Sequence, residues 1–209
     1  MALALAVDIS ASVDAAEYRM QRDGLAAALD HDDVRRAILQ GAPGHVALIV
    51  YEWSGRYQQQ VVLPWAVLDS PRSIDIAVAR LAASRRSYDQ FPTAMGYALG
   101  YGAGLLKKGP DCARRVLDIS GDGENNEGFH PAAAYRNFPF EGVTVNGLAI
   151  LGSEAGVEEY YDRNVPHGPG AFVARAAGFA DFQSAMTRKL FREINDLMIG
   201  IQGAAPWRG

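Results

Sequence analysis

Cysteine is almost missing from this sequence: Cys112 is the single one in 209 residues. No disulfide can close within the chain as it stands, which excludes the small disulfide-scaffold folds. Long hydrophobic runs are missing as well. No stretch approaches the roughly 18–20 apolar residues that a membrane-spanning helix needs. Met1 to Val7 lacks both the basic lead and the extended apolar run of a signal peptide and reads directly as a strand, so the expected domain starts without a lead-in, as a trimmed export precursor would. Histidine is scarce, and His31, His45, His130 and His167 fall at unrelated spacings that suggest no zinc site. His130 and His167 are expected at the surface. Excess charge of one sign is also missing: 20 Lys and Arg against 24 Asp and Glu leave a net charge of −4. That balance argues against a nucleic-acid clamp and against a polybasic membrane anchor. There is no Walker-type phosphate loop, and Gly152-Ser153-Glu154-Ala155-Gly156 lacks the spacing of a nucleophile elbow.

What is present is an ordinary globular composition, 49% hydrophobic and 21% charged, in a length that suits one domain over residues 1–209. Short apolar runs alternate with helical patterns. Strands are expected at Leu3–Val7, His45–Trp53, Gln58–Trp65, Arg114–Ser120, Gly142–Leu151 and Phe172–Ala174. The Gln-rich third of these, with Pro64, has the character of an edge strand. Helices are expected from Asp14 to Leu29, from Asp32 to Leu39, from Ser70-Pro71 to Ser84, from Pro92 to Leu106, from His130 to Phe138 and from Phe179 to Leu197. The last carries Phe182, Met186, Leu190, Ile194 and Leu197 on one face. Gly41 to Gly44 breaks the chain, and Gly152 to Gly170, rich in Gly, Pro and acids, reads as a long irregular loop. Gly96, Gly100 and Gly104 recur every fourth residue, which predicts a small-residue helix face packed closely on the sheet. The alternation predicts an α/β fold: one doubly wound, Rossmann-like, mostly parallel sheet with helices on both faces and one antiparallel edge strand.

In such a sheet ligands bind beyond the carboxyl ends of the strands, where the strand order reverses. Three segments bring oxygen-bearing side chains to that edge. Asp8, Ser10 and Ser12 follow the first strand as Asp-x-Ser-x-Ser, Thr93 stands at the start of the glycine-striped helix, and Asp122 follows the strand ending at Ser120. Five oxygen donors with no His or Cys among them suit a hard cation, Mg²⁺ or alternatively Mn²⁺ or Ca²⁺.

This set, Asp8-Ile9-Ser10-Ala11-Ser12, Thr93 and Ile119-Ser120-Gly121-Asp122-Gly123, resembles the metal-ion-dependent adhesion site of von Willebrand factor A-type domains. The resemblance implies that Ser10, Ser12 and Thr93 contact the metal through hydroxyls and that Asp8 and Asp122 bind it directly or through water. It also implies a protein or peptide partner that supplies a carboxylate to the open coordination position, and no turnover is expected because nothing nearby looks like a nucleophile with a base. Gly121 departs from the pattern, which has Ser or Thr directly before the aspartate. Tyr51-Glu52-Trp53-Ser54-Gly55, Phe91-Pro92-Thr93-Ala94-Met95-Gly96 and Ser120 to Asn126 are similar, more closely, to an uncharacterised bacterial family of this fold. That similarity implies an exported protein, periplasmic or secreted, and a cysteine before the first strand as a disulfide partner for Cys112.

Other readings stand beside this one. Ser12 or Asp14 could cap the first helix, Thr93 its own helix, and Asp122 could serve only a turn. Glu52 reads as a solvated strand-end acid, or as a lining of the metal edge. Glu158 to Tyr161 reads as a partner-facing surface or a solvated flap. Gly121 to Asn126 also resembles the Gly-Asp-Gly-x-Asn-Asp motif of haloacid-dehalogenase-type phosphotransferases, with Asp8 as nucleophile. That chemistry needs a carboxylate two residues after the nucleophile, where this chain has Ser10, and an Asp where it has Asn126. A metal-independent scaffold of the same fold is the third reading.

Overall fold

The structure, a computed structural model, describes residues 1–41 and 45–200, with side chains as far as residue 195. Residues 42–44 of the expected break, the Leu197 side chain and residues 201–209 therefore lie outside the described residues. The elements in chain order are β1 (Ala2–Asp8), α1 (Ala15–Asp30), α2 (Asp32–Gln40), β2 (Val46–Trp53), β3 (Gln59–Leu68), α3 (Pro71–Ala82), α4 (Met95–Lys108), β4 (Arg115–Gly121), α5 (Pro131–Asn137), β5 (Val143–Ile150), α6 (Val157–Asn164), β6 (Val173–Ala176) and, after a 3-10 turn at Phe179–Asp181, α7 (Phe182–Gly200). Among the described residues the strands form one sheet in the order β3-β2-β1-β4-β5-β6, parallel except for β3 at the edge. This is the expected architecture. The β2–β3 register shifts where Pro64, which has no N–H to donate, interrupts the ladder.

β1 looks uniformly apolar, but its pleat separates two kinds of side chain. Leu3, Leu5 and Val7 point into a layer with α1, α2, α3 and α7, where Leu25, Ile38, Ile74, Leu81, Phe182 and Leu190 pack. Ala2, Ala4 and Ala6 point to the other face, beneath α4. Alanines on the strand let α4 lie close to the sheet, with Met95, Ala98, Leu99 and Ala103 fully buried there. Among the described residues no helix is long and apolar enough to cross a membrane.

The structure corrects several sequence expectations. Gly152 to Gly170 is not irregular throughout: Val157, Tyr161 and Val165, four residues apart, form a buried stripe that holds α6 against β5 despite the surrounding acids. The stripe of Gly96 and Gly100 does not face the sheet. A Cβ on Gly96 would sit 2.0 Å from the Phe129 carbonyl oxygen, and one on Gly100 2.8 Å from the Phe138 ring. Gly96 seats the β4–α5 connection at Phe129 and Gly100 seats Phe138 just after α5, with Tyr97 of α4 stacked on Phe129 at 4.2 Å and Phe129 on Phe138 at 5.8 Å. His130 is exposed as expected, whereas His167 is half-buried and stacked on Tyr135.

Under α7 lies a buried ionic cluster. Lys189 Nζ meets Asp118 Oδ2 at 2.5 Å and Glu193 Oε1 at 2.6 Å, and Asn146 donates to Glu193 at 2.6 Å. All four side chains are essentially inaccessible. One ammonium faces two carboxylates, so the cluster carries one negative charge too many unless it holds a proton. Burial and the neighbouring Glu193 push Asp118 up to about 8, against the opposing pull of Lys189. A raised carboxyl pKa means that the fold is favoured by the protonated form, a contribution fully present in acid and lost as pH rises from about 4 to about 8. We expect Asp118→Asn, which leaves Lys189 and Glu193 balanced, to gain stability over the native protein across that interval, on the order of 1–3 kcal/mol by pH 8 in denaturant unfolding.

Candidate functional site

β1 and β4 are neighbours and parallel, with Val7 in register with Ser120. Their carboxyl ends therefore deliver Asp8 and Asp122 to the same point of the sheet edge. Asp14 caps α1 with a full capping box, its carboxylate accepting from Ala16 and Glu17 N–H while Glu17 accepts from Asp14 N–H. Ser12 is thereby free of capping and points elsewhere. Ser10 N–H donates to Asp8 Oδ1 at 2.7 Å, the Ser10 and Ser12 hydroxyls are 3.2 Å apart, and Ser12 donates to Asp122 Oδ1 at 3.0 Å. Four of the five expected residues thus form one continuous chain of contacts. Asp8, Ser10 and Asp122 are buried, and Ser12 is exposed, so the cluster opens to solvent on the Ser12 side.

Thr93 joins from the segment before α4. It does not cap that helix, whose N-cap, Ala94, makes no side-chain bond. Thr93 is buried, its N–H donates to Asn126 Oδ1 at 2.9 Å, and its carbonyl accepts from the N–H groups of Asn126 and Glu127. Asn125 Oδ1 accepts from Gly96 N–H and so supplies the side-chain partner that Ala94 lacks. Phe91 carbonyl accepts from Ala11 N–H at 2.8 Å, tying this segment to the loop after β1. The Thr93 hydroxyl lies beside Gly123, 3.9 Å from where a Cβ would stand.

Electrostatics make the cluster costly by itself. Asp8 and Asp122 are fully buried, and the second oxygen of each, Oδ2, has no hydrogen-bond partner. Burial, and next the charge of Asp122, push Asp8 up to about 7, while the Ser10 bonds and the Arg86 guanidinium pull it down. Arg86 donates at 3.0 Å to the carbonyls of Ile9 and Ser10 and braces the loop from behind. Among the described residues no three His, Cys, Asp or Glu side chains gather as a metal-binding group. The donor set here is two carboxylates and neutral hydroxyls. Two buried, unpartnered carboxylate oxygens in a cluster with the Ser10 and Ser12 hydroxyls, with the Thr93 hydroxyl near Gly123, fit a hard divalent cation, which would neutralise the pair and take those oxygens as ligands.

Some expectations about neighbouring residues fail. Glu52 is not solvated and does not line this cluster through an open face: it is buried, accepting from Tyr18 hydroxyl and Ser87 N–H at 2.8 Å each. Tyr161, read as part of a surface or flap, is fully buried with an unpartnered hydroxyl. Sequence reasoning passed over Arg86, Asn125 and Glu154, whose carboxylate accepts from Glu124 N–H at the rim. Asn125 stood inside a quoted motif. Arg86 and Glu154 gave no local signal, because their roles depend on contacts between distant segments.

A family model described as "Protein of unknown function (DUF1194)" matches residues 1–198. No protein of curated function matches the chain. Among solved structures, proximal thread matrix protein 1 from the mussel byssus, with a zinc-occupied MIDAS motif, is similar at 16% identity and a TM-score of 0.64, over 92% of this chain and 45% of that one. A von Willebrand factor type A protein from Catenulispora acidiphila is similar at 14% identity and 0.60, over 94% and 42%. The PilB minor pilin from Streptococcus sanguinis is similar at 12% identity and 0.69, over 98% and 63%. The chain thus spans less than half the length of the first two, and these likenesses show a shared fold. We expect Asp8→Asn, in chelator at pH 8, to be more stable than the native protein by at least about 1 kcal/mol. It keeps the oxygen that Ser10 N–H donates to and removes one of two facing charges. The difference should shrink toward pH 4, where the native Asp8 is already protonated, and pH-dependent thermal melts measure it.

Proposed function

Since the chain belongs to the DUF1194 family and has the von Willebrand factor A-type fold, we propose that it is a divalent-metal-dependent binding module, with Asp8, Ser10, Ser12, Thr93 and Asp122 as the metal site. The observation that carries this reading is the pair of buried carboxylates whose Oδ2 atoms have no partner and whose charges face each other. A fold does not maintain such a pair for stability, because each unpartnered buried anion costs free energy. A cation removes the cost.

Ser10 and Ser12 link the two aspartates: Ser10 N–H donates to Asp8, the two hydroxyls meet, and Ser12 donates to Asp122. Thr93 is fixed by Asn126 and belongs to a different loop, so the site closes only when the β1, pre-α4 and β4 segments are all in place. Mg²⁺, or Mn²⁺ or Ca²⁺, bound there would retain net positive charge, since hydroxyls contribute none, and would attract an anionic oxygen at the Ser12 opening. We propose a protein or peptide carboxylate as that ligand, in a binding role without turnover. Support for a binding role also comes from Ser10: its N–H bonds Asp8 and its hydroxyl faces Ser12, so no carboxylate stands two residues after Asp8 to act as acid and base. An extracellular setting follows the same reading, by analogy with the byssus and pilus proteins that share the fold.

At ten times the dissociation constant, Mg²⁺ should add about 1.4 kcal/mol of stability, about 3–6 °C in melting temperature. Ser10→Ala and Asp8→Ala should lose the shift, and chelator should reverse it in the native protein. An unchanged melting temperature with both Mg²⁺ and Mn²⁺ would leave the metal-independent scaffold as the correct reading.

A further inference from the structure

Tyr161 reaches the candidate site from α6 by an unusual route. Its ring lies over β5 where Gly147 offers no side chain: a Cβ there would stand 3.0 Å from the ring carbon Cδ1. Its hydroxyl ends over β4 at Gly121, where a Cβ would stand 2.6 Å from the hydroxyl oxygen and 2.6 Å from Asp8 Oδ2. Two glycines on adjacent strands thus clear a slot that leads from α6 to Asp8. Both oxygens at the end of the slot lie within about 5 Å of each other, a separation that one bridging water spans. Neither has a hydrogen-bond partner, and both are buried. Burial first, and then the Asp8 charge, push the Tyr161 hydroxyl well above its ordinary range, so it is a neutral donor.

A buried, unpartnered tyrosine hydroxyl is a cost to the fold, and phenylalanine would fill the same slot without it. The hydroxyl has a use if it donates toward Asp8. We infer that Tyr161 is a positioning residue of the metal site, its hydroxyl entering the space that Gly121 leaves without a side chain and orienting Asp8 Oδ2 toward the cation. This rests on the metal reading above and adds to it a residue from an element outside the strand-end motif.

The test compares native protein, Tyr161→Phe and Gly121→Ser by titration calorimetry with MgCl₂ and MnCl₂, by tyrosine difference absorbance on metal addition, and by melting in chelator. Tyr161→Phe should bind each metal about tenfold more weakly, the size expected when a residue that orients a ligand is lost. It should also lose most of the tyrosine difference signal and melt in chelator at or above the native temperature. Gly121→Ser, whose Cβ enters the gap, should lose the tyrosine signal as well. Native-like affinity and signal in Tyr161→Phe would overturn the inference while the metal reading stands. A drop in melting temperature in chelator, with affinity unchanged, would assign Tyr161 to packing alone and overturn it too. No heat of binding in the native protein would instead remove the metal reading, and this inference with it.

Discussion

The molecule is organised around a repulsion. Two carboxylates, Asp8 and Asp122, are brought to one buried point because β1 and β4 are parallel neighbours, and parallel strands bring their carboxyl ends to the same edge. Everything near that point manages the conflict. Backbone and hydroxyl donors hold the Oδ1 atoms, Arg86 braces the loop carbonyls, and the Oδ2 atoms are left over. A second conflict of the same kind, two carboxylates against one ammonium, sits under α7. The difference is informative. The cluster at Lys189 carries its own cation and is sealed, whereas Arg86, the cation that the loop after Asp8 holds, donates to the Ile9 and Ser10 carbonyls, and the cluster at Asp8 opens at Ser12.

Much of this was legible in the sequence, and for a physical reason. Element types follow from local periodicity, so the strands and helices that bear strong apolar patterns fall where they were expected, and their alternation gives the doubly wound, mostly parallel sheet. The clustering of Asp8, Ser10 and Ser12 was legible because they are near neighbours in the chain and follow directly on a strand end. The competing interpretation of Ser12 as a helix cap is settled by Asp14, which occupies that role with Glu17.

What escaped was decided between segments. Val157 and Tyr161 looked like parts of a polar loop because their neighbours are Gly and Glu, and only the groove over β5 makes them a helix face. Glu52 looked solvated because strand ends usually are, yet Tyr18 and Ser87 enclose it. The meaning of Gly121 could not be read locally at all. Its missing side chain matters because a tyrosine forty residues later in the chain occupies the space.

The aromatic stack of Tyr97, Phe129 and Phe138 against the α4 glycines has a consequence for recognition. The connection that carries Asp122, Asn125 and Asn126 at one end is pressed onto a rigid helix at the other. Its conformational entropy is lost once, at folding, and not again at each encounter with a ligand. On the binding role proposed above, a rim prepared in this way favours a partner of fixed shape and speeds association, which waits on no loop to order itself.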